Sequence, residues 1–255
     1  MHLSRTSSLT RGAAVLVVAA GLTAGLALPA TAASSATKPT ASAAASDAAG
    51  RTLDELKSTG AAAIAQRQAQ LTKLSGRLSA APACDAGGKI AGVIAADGPA
   101  LTQVGSKLAA DTTLVDAKND FQSIFDDYRI YLVVTPQTYA AAACGRIQRA
   151  TATLTDDQAK LTSRVDTAAA GGADMTAAKA SLADMAAKID DAKSNGDQAA
   201  AALAALAPDH GDKGVIASNA AAVDAARVQL ETARTDLTTA TNDARSVVAA
   251  LKALG

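Results

Sequence analysis

Residues 216–254 read IASNAAAVDAARVQLETARTDLTTATNDARSVVAALKAL, and within them Ile216, Val223, Leu230, Leu237, Ala244 and Leu251 keep a seven-residue period. Ala226, Ala233, Ala240, Val247 and Leu254 form a second row, each three residues after a member of the first. Two apolar positions in every seven draw one narrow stripe along a helix, and their repetition favours left-handed packing against neighbouring helices. The segment before it is patterned in the same way. Between about Asp174 and Leu206, one seam carries Met175, Ala178, Leu182, Met185, Ile189, Ala192, Ala199, Leu203 and Leu206, and Pro208 closes it. Between Pro136 and Ala170, Ile147, Leu154 and Leu161 stand seven apart, and Gly171-Gly172 ends the run. At about 1.5 Å per residue such helices are about 50 to 60 Å long. Short Gly and Pro connections set neighbours in opposite directions. The fold class this predicts is all-α, an elongated antiparallel helical bundle with long heptad-patterned, coiled-coil-like helices.

The preceding stretch is also helical, in shorter pieces. Thr52 and Glu55 have the spacing of a capping box, and Leu53, Leu56, Ile64, Leu71, Leu74 and Leu78 mark one face that ends before Pro82. A helix from about Asp85 to Ala96 is expected to stop at Gly98-Pro99, with a new one through Leu101, Val104 and Leu108. All five aromatic residues fall between Phe121 and Tyr139, and the chain has no Trp. Leu114, Ala117, Phe121, Ile124, Tyr128 and Tyr131 recur at spacings of three and four, with Phe125 and Leu132 beside them, so they form the apolar stripe of one helix. Thr135 precedes Pro136 and is biased away from helical angles, which places a kink or break there.

The first residues have the composition of an export signal. Arg5 and Arg11 precede an apolar stretch from Ala13 to Leu28, and Pro29 leads into the small-residue site Ala30-Thr31-Ala32. Residues 1–33 are therefore expected to be a signal peptide, 34–50 a flexible Ala/Ser/Thr leader, and 51–255 a single helical-bundle domain. The expected location is secreted, either extracellular or associated with the cell wall. No transmembrane segment is expected after cleavage, because no later apolar run reaches the roughly 20 residues of a spanning helix. Loss of Arg5 and Arg11 leaves 22 basic against 24 acidic residues, a net charge of −2. Such a charge gives no long-range attraction for nucleic acid. In an oxidising compartment Cys84 and Cys144 are expected to pair, closing a loop of about 60 residues worth about 4 kcal/mol on the chain-entropy model.

Little reactive chemistry is visible. After signal removal His210 is the one histidine, so no His pair exists for a metal, and no phosphate loop, serine elbow or zinc spacing occurs. Neither a cofactor, a metal nor a catalytic residue is expected. Asp209, His210 and Asp212 cluster beside Gly211 and Gly214 and read as a solvated turn. Asp126-Asp127, Asp156-Asp157 and Asp190-Asp191 read as solvated faces, since adjacent helical residues point about 100 degrees apart. Asp126 and Arg129 have the spacing of a surface ion pair, and Arg129 follows Phe125 by the four residues that suit a cation stacked on a ring. The aromatic window reads first as packing where helices meet. A groove for an apolar ligand or partner is the other reading, with Phe125, Tyr128, Tyr131 and Tyr139 as its candidate contact residues.

The stretch from Phe121 through Asp127-Tyr128-Arg129-Ile130-Tyr131 to Pro136, after Ala110-Asp111-Thr112 and before Arg146-Ile147, resembles a pattern found in secreted, alanine-rich helical proteins of actinobacteria. The resemblance implies a helical fold and brings no catalytic or binding residue with it. Family members more often have Asp before the arginine matching Arg146, where this chain has Cys144-Gly145. That departure implies that the disulfide is a local addition. The expected function is that of an exported, non-enzymatic helical scaffold or interaction protein of the cell envelope or extracellular space, whose partner is a cell-envelope protein or a second copy of the chain. The alternative is a carrier of an apolar or lipid-like ligand held between helices near the aromatic window.

Overall fold

The computed structural model describes residues 50–81 and 85–254, which form helices and no strand. In chain order they are α1 (Leu53–Ala80), α2 (Asp85–Ala110), α3 (Leu114–Asp126), a π-helical turn (Ile130–Val134), α4 (Thr135–Ala170), α5 (Thr176–Ala204) and α6 (Lys213–Lys252). The all-α class expected from the periodicity is the class of the fold. The expected signal peptide, nearly all of the expected leader and Cys84 lie outside the described residues. No helix among those described is long and apolar enough to cross a membrane.

Local chemistry sets the helix starts. Thr52 accepts from the Glu55 amide at 3.3 Å while its own amide donates to the Glu55 carboxylate at 2.8 Å, the reciprocal pair that the sequence predicts. Thr113 caps α3 through the Asp116 amide, and Asp212 caps α6 by accepting from the amides of Gly214 and Val215.

The last three helices pack side by side along small-residue seams. Gln148, Gln158 and Asp166 of α4 meet Asp197, Leu182 and Lys179 of α5, so the contacts descend along one helix as they ascend along the other. Gln198 and Lys188 of α5 meet Gln229 and Asp236 of α6 in the same sense. Each pair therefore runs antiparallel. Along α5 the buried positions are Ala178, Leu182, Met185, Ile189, Ala192, Gly196, Ala199, Ala200 and Leu203, and along α6 they include Ala226, Leu230, Ala233, Leu237, Ala240, Ala244 and Val247. All of these but Gly196 and Ala200 are predicted seam residues. The α6 seam is not buried over its whole length, however: Ile216, Val223 and Leu251 are half-buried, and Leu254 is 52% exposed.

The core has two parts. One gathers α4, α5 and α6 around Ile147, Leu161, Met185 and Leu237. The other gathers α1, α2, α3 and the π-helical turn around Leu56, Leu101, Phe121 and Ile124. Helix α4 belongs to both, since Ala141 packs in the second part while Ala140 and Ala143 pack in the first. Its residues 140 to 145 are all buried.

Three local expectations are corrected. Helix α2 does not stop at Gly98-Pro99 but continues through Pro99 to Ala110. An interior proline costs about 3 kcal/mol, yet Ile90, Ile94, Leu101, Val104 and Leu108 are all buried, and burying each such side chain contributes about 1.5 to 3 kcal/mol. The aromatic helix ends early, at Asp126, and Leu114 is 40% exposed instead of opening its apolar stripe. The break lies at Asp127 to Arg129 and not at Thr135, whose backbone is helical at φ −63° and ψ −56°. Pro136 lacks an amide hydrogen, and its position in the first turn of α4 makes that loss harmless. Before it, the amides of Val134 and Thr135 bond five residues back, to the carbonyls of Arg129 and Ile130, and the Thr135 hydroxyl also donates to Ile130 at 2.7 Å.

Candidate functional site at the junction of the two cores

The break between α3 and the π-helical turn carries Arg129 inward, where it is 5% exposed. Its guanidinium pairs with Asp209, itself 4% exposed, and with Asp126 at 3.4 Å. Two expectations give way here. Asp126–Arg129 is part of a buried cluster instead of a surface pair, and Asp209 is not in a solvated turn. Burial makes the difference: away from water, the two carboxylates offset the desolvation of the guanidinium. Nε of Arg129 is buried without a hydrogen-bond partner.

The segment between α5 and α6 is fastened at several points. Gln137 of α4, 5% exposed, donates to the Leu206 carbonyl at 3.0 Å, and Asn219 of α6 donates to that of Ala207 at 2.9 Å. Asp209 also accepts from the Gly211 amide, and His210 lies 2.8 Å from Asp127 through Nδ1. His210 has φ 46° and Gly211 φ 85°, so two successive residues take left-handed backbone. The connection is a fixed wall against the end of α3.

That wall bounds a cleft of about 140 Å³. Lys89, Ile90, Val93 and Asp97 of α2 form one side, with Asp127 and Arg129 at the break. Val133 and Val134 of the π-helical turn face them, and Gln137, Leu206 and Pro208 complete the lining. Burial raises the Asp97 carboxyl above the ordinary carboxylate range. Burial also raises the Tyr128 hydroxyl, and the negative charges of Asp127 and Asp97 add to that shift.

The aromatic window is organised differently. Arg67 of α1, 8% exposed, lies 4.4 Å from the Phe125 ring centre and 5.6 Å from that of Tyr131. Arg77 lies 4.0 Å from Tyr139, and Arg51 lies 5.8 Å from Phe121. The cation over Phe125 is thus Arg67 and not Arg129, because Arg129 is held by Asp209. Burial lowers the affinity of the Arg67 guanidinium for its proton; Tyr131 opposes the shift and the like charge of Arg129 adds to it. Of the candidate contact residues, Phe125 is buried against Phe121 at 5.1 Å, while Tyr128, Tyr131 and Tyr139 are half-buried. None of the four lines the cleft.

Among the described residues no group of three or more His, Cys, Asp or Glu is placed to hold a metal ion. Cys144 is 1% exposed in α4, and no cysteine among the described residues is free. Sequence reasoning missed Lys89, Asp97 and Gln137. The available signal was the four-residue spacing of Lys89, Val93 and Asp97, together with Arg129 standing in an otherwise apolar run. No protein-family model, curated protein or solved structure matches this chain.

Proposed function

We propose that this chain is an exported, non-enzymatic helical scaffold that meets another protein of the cell envelope or extracellular space through the first turns of α6. The observation that supports the reading is the length of α6. It has 40 residues against 29 in α5, and the pairing of Gln198 with Gln229 sets Ala204 opposite the region of Val223. Residues 213–221 thus run beyond the end of α5, and all but Ile216 and Asn219 among them are exposed. Within that stretch Val215 is 36% exposed and Ile216 half-buried beside it, whereas Val223, where α5 ends, packs against the core. A seam that outlasts its partner helix suits a second helix supplied from outside.

Site-specific photo-crosslinking tests this. A crosslinker at Val215 is expected to capture a discrete partner in envelope fractions, whereas one at exposed Thr238 on the packed stretch is not. Equal capture at both positions, or none at Val215, refutes the reading. A ligand carrier centred on the rings has weaker support, since arginines cover three of the four candidate residues. The proposal also includes a Cys84–Cys144 disulfide tying α4 to the connection between α1 and α2. On the chain-entropy figure of about 4 kcal/mol, reduction is expected to lower Tm by about 10 °C. An unchanged melt removes the disulfide from the scheme.

A further inference from the structure

Four charged side chains line the cleft between α2 and the π-helical turn, and their pairing divides them into two groups. Arg129 is compensated by Asp126 and Asp209, and Asp127 meets the His210 ring. Lys89 and Asp97 have no ion pair or hydrogen bond among the described residues. Both stand on α2, eight residues apart, with Val93 midway and 42% exposed. Their Cα atoms are about 12 Å apart along the helix axis, and side-chain reach from each end shortens that span. The buried Val133, Val134 and Leu206 line the same cleft.

The arrangement is an apolar floor with an uncompensated cation at one end and an uncompensated carboxylate at the other. A purely apolar occupant would desolvate both charges and pair neither. An organic cation would leave Lys89 opposed, and an anion would face Asp97 and Asp127. We propose that the cleft binds a small linear zwitterion, with its ammonium at Asp97, its carboxylate at Lys89 and its methylene spine against Val93 and Val133. At about 140 Å³ the space is close to that of a cavity of about 150 Å³ that holds one benzene, which limits the ligand to roughly ten non-hydrogen atoms. The half-buried Asp97 carboxyl gains a counter-charge on binding, which reverses the effect of its desolvation.

Calorimetric titration of the full chain with the ω-amino acids from glycine to 8-aminooctanoate tests the proposal, with hexylamine and hexanoate as single-charge controls. Saturable binding is expected for 6-aminohexanoate with Kd of about 1 mM, and binding at least about tenfold weaker for glycine and for both controls. In Lys89→Gln the zwitterion is expected to bind no better than hexylamine, and in Asp97→Asn no better than hexanoate. Lys89 is exposed and Asp97 only half-buried, so both variants are expected to fold, and a thermal melt monitored by circular dichroism checks that they do. The proposal is overturned by an absence of saturation, by affinity independent of chain length, by controls that bind as well as the zwitterion, or by folded variants that bind it like the parent chain.

Discussion

Arg129 and Asp209 are 80 positions apart in the chain and form its most deeply buried ion pair among the described residues. Breaking such a pair strands one charge away from water. Asp209→Ala is therefore expected to destabilise the fold by about 3 to 5 kcal/mol in urea denaturation, while the double replacement Arg129→Met with Asp209→Leu recovers most of the loss. A double variant as unstable as the single one would show that the pair contributes more than mutual neutralisation. Asp97 behaves in the opposite way. Its folded-state carboxyl is raised by burial, so the folded chain holds that proton more tightly than the unfolded chain. The associated stability is present below the unfolded carboxylate range and is lost as pH rises through the raised folded value. Asp97→Asn is accordingly expected to melt at a higher temperature than the parent at about pH 7 and at the same temperature below about pH 3.5. A constant difference at both values would rule out the ionisation as its source. These side chains were the least legible part of the sequence, because Asp209 reads as turn chemistry until Arg129 is known to be buried beneath it.

At the scale of the helices, close approach decides which substitutions are tolerated. Gly60 of α1 faces α2 and α3 so closely that an added Cβ would lie 2.2 Å from Cδ2 of Leu108, with Ile124 and Phe121 at 3.4 Å. Leu108 is 1% exposed, so yielding to the new methyl group means repacking a buried side chain. Gly60→Ala is expected to cost about 1 to 2 kcal/mol despite the better helix propensity of alanine, whereas Gly76→Ala, which meets nothing within 4 Å, is expected to gain up to about 1 kcal/mol. Matching urea midpoints for the two would refute the steric account. Pro99→Ala should stabilise α2 by as much as about 3 kcal/mol, since it restores an amide to an uninterrupted helix. No gain would mean that the helix is already adapted to the ring. The long helices were legible because Leu182, Met185, Ile189 and Leu237 repeat through many turns. The π-helical turn was not, since Ile130 to Val134 continues the same apolar period, and the partner that holds Arg129 just before it, Asp209, is 80 positions away from that arginine.

Across the whole molecule, α4 joins two cores that the sequence presents as one run of helices. The split follows from packing partners and not from pattern, which explains why apolar periodicity alone gives no sign of it. The seams of α5 and α6 are built largely of alanine, among them Ala192, Ala199, Ala226, Ala233, Ala240 and Ala244, all at most 1% exposed. Heat capacity of unfolding grows with apolar surface released to water and falls with the peptide groups released beside it. Alanine seams release little of the first for much of the second. The heat-capacity increment is therefore expected to fall below the usual value of about 12 to 15 cal/mol/K per residue, a difference that scanning calorimetry at several pH values would measure. With a shallow dependence of stability on temperature, a modest free energy of folding extends over a wide thermal range, and cooling weakens this fold less than it weakens one filled with leucine and phenylalanine.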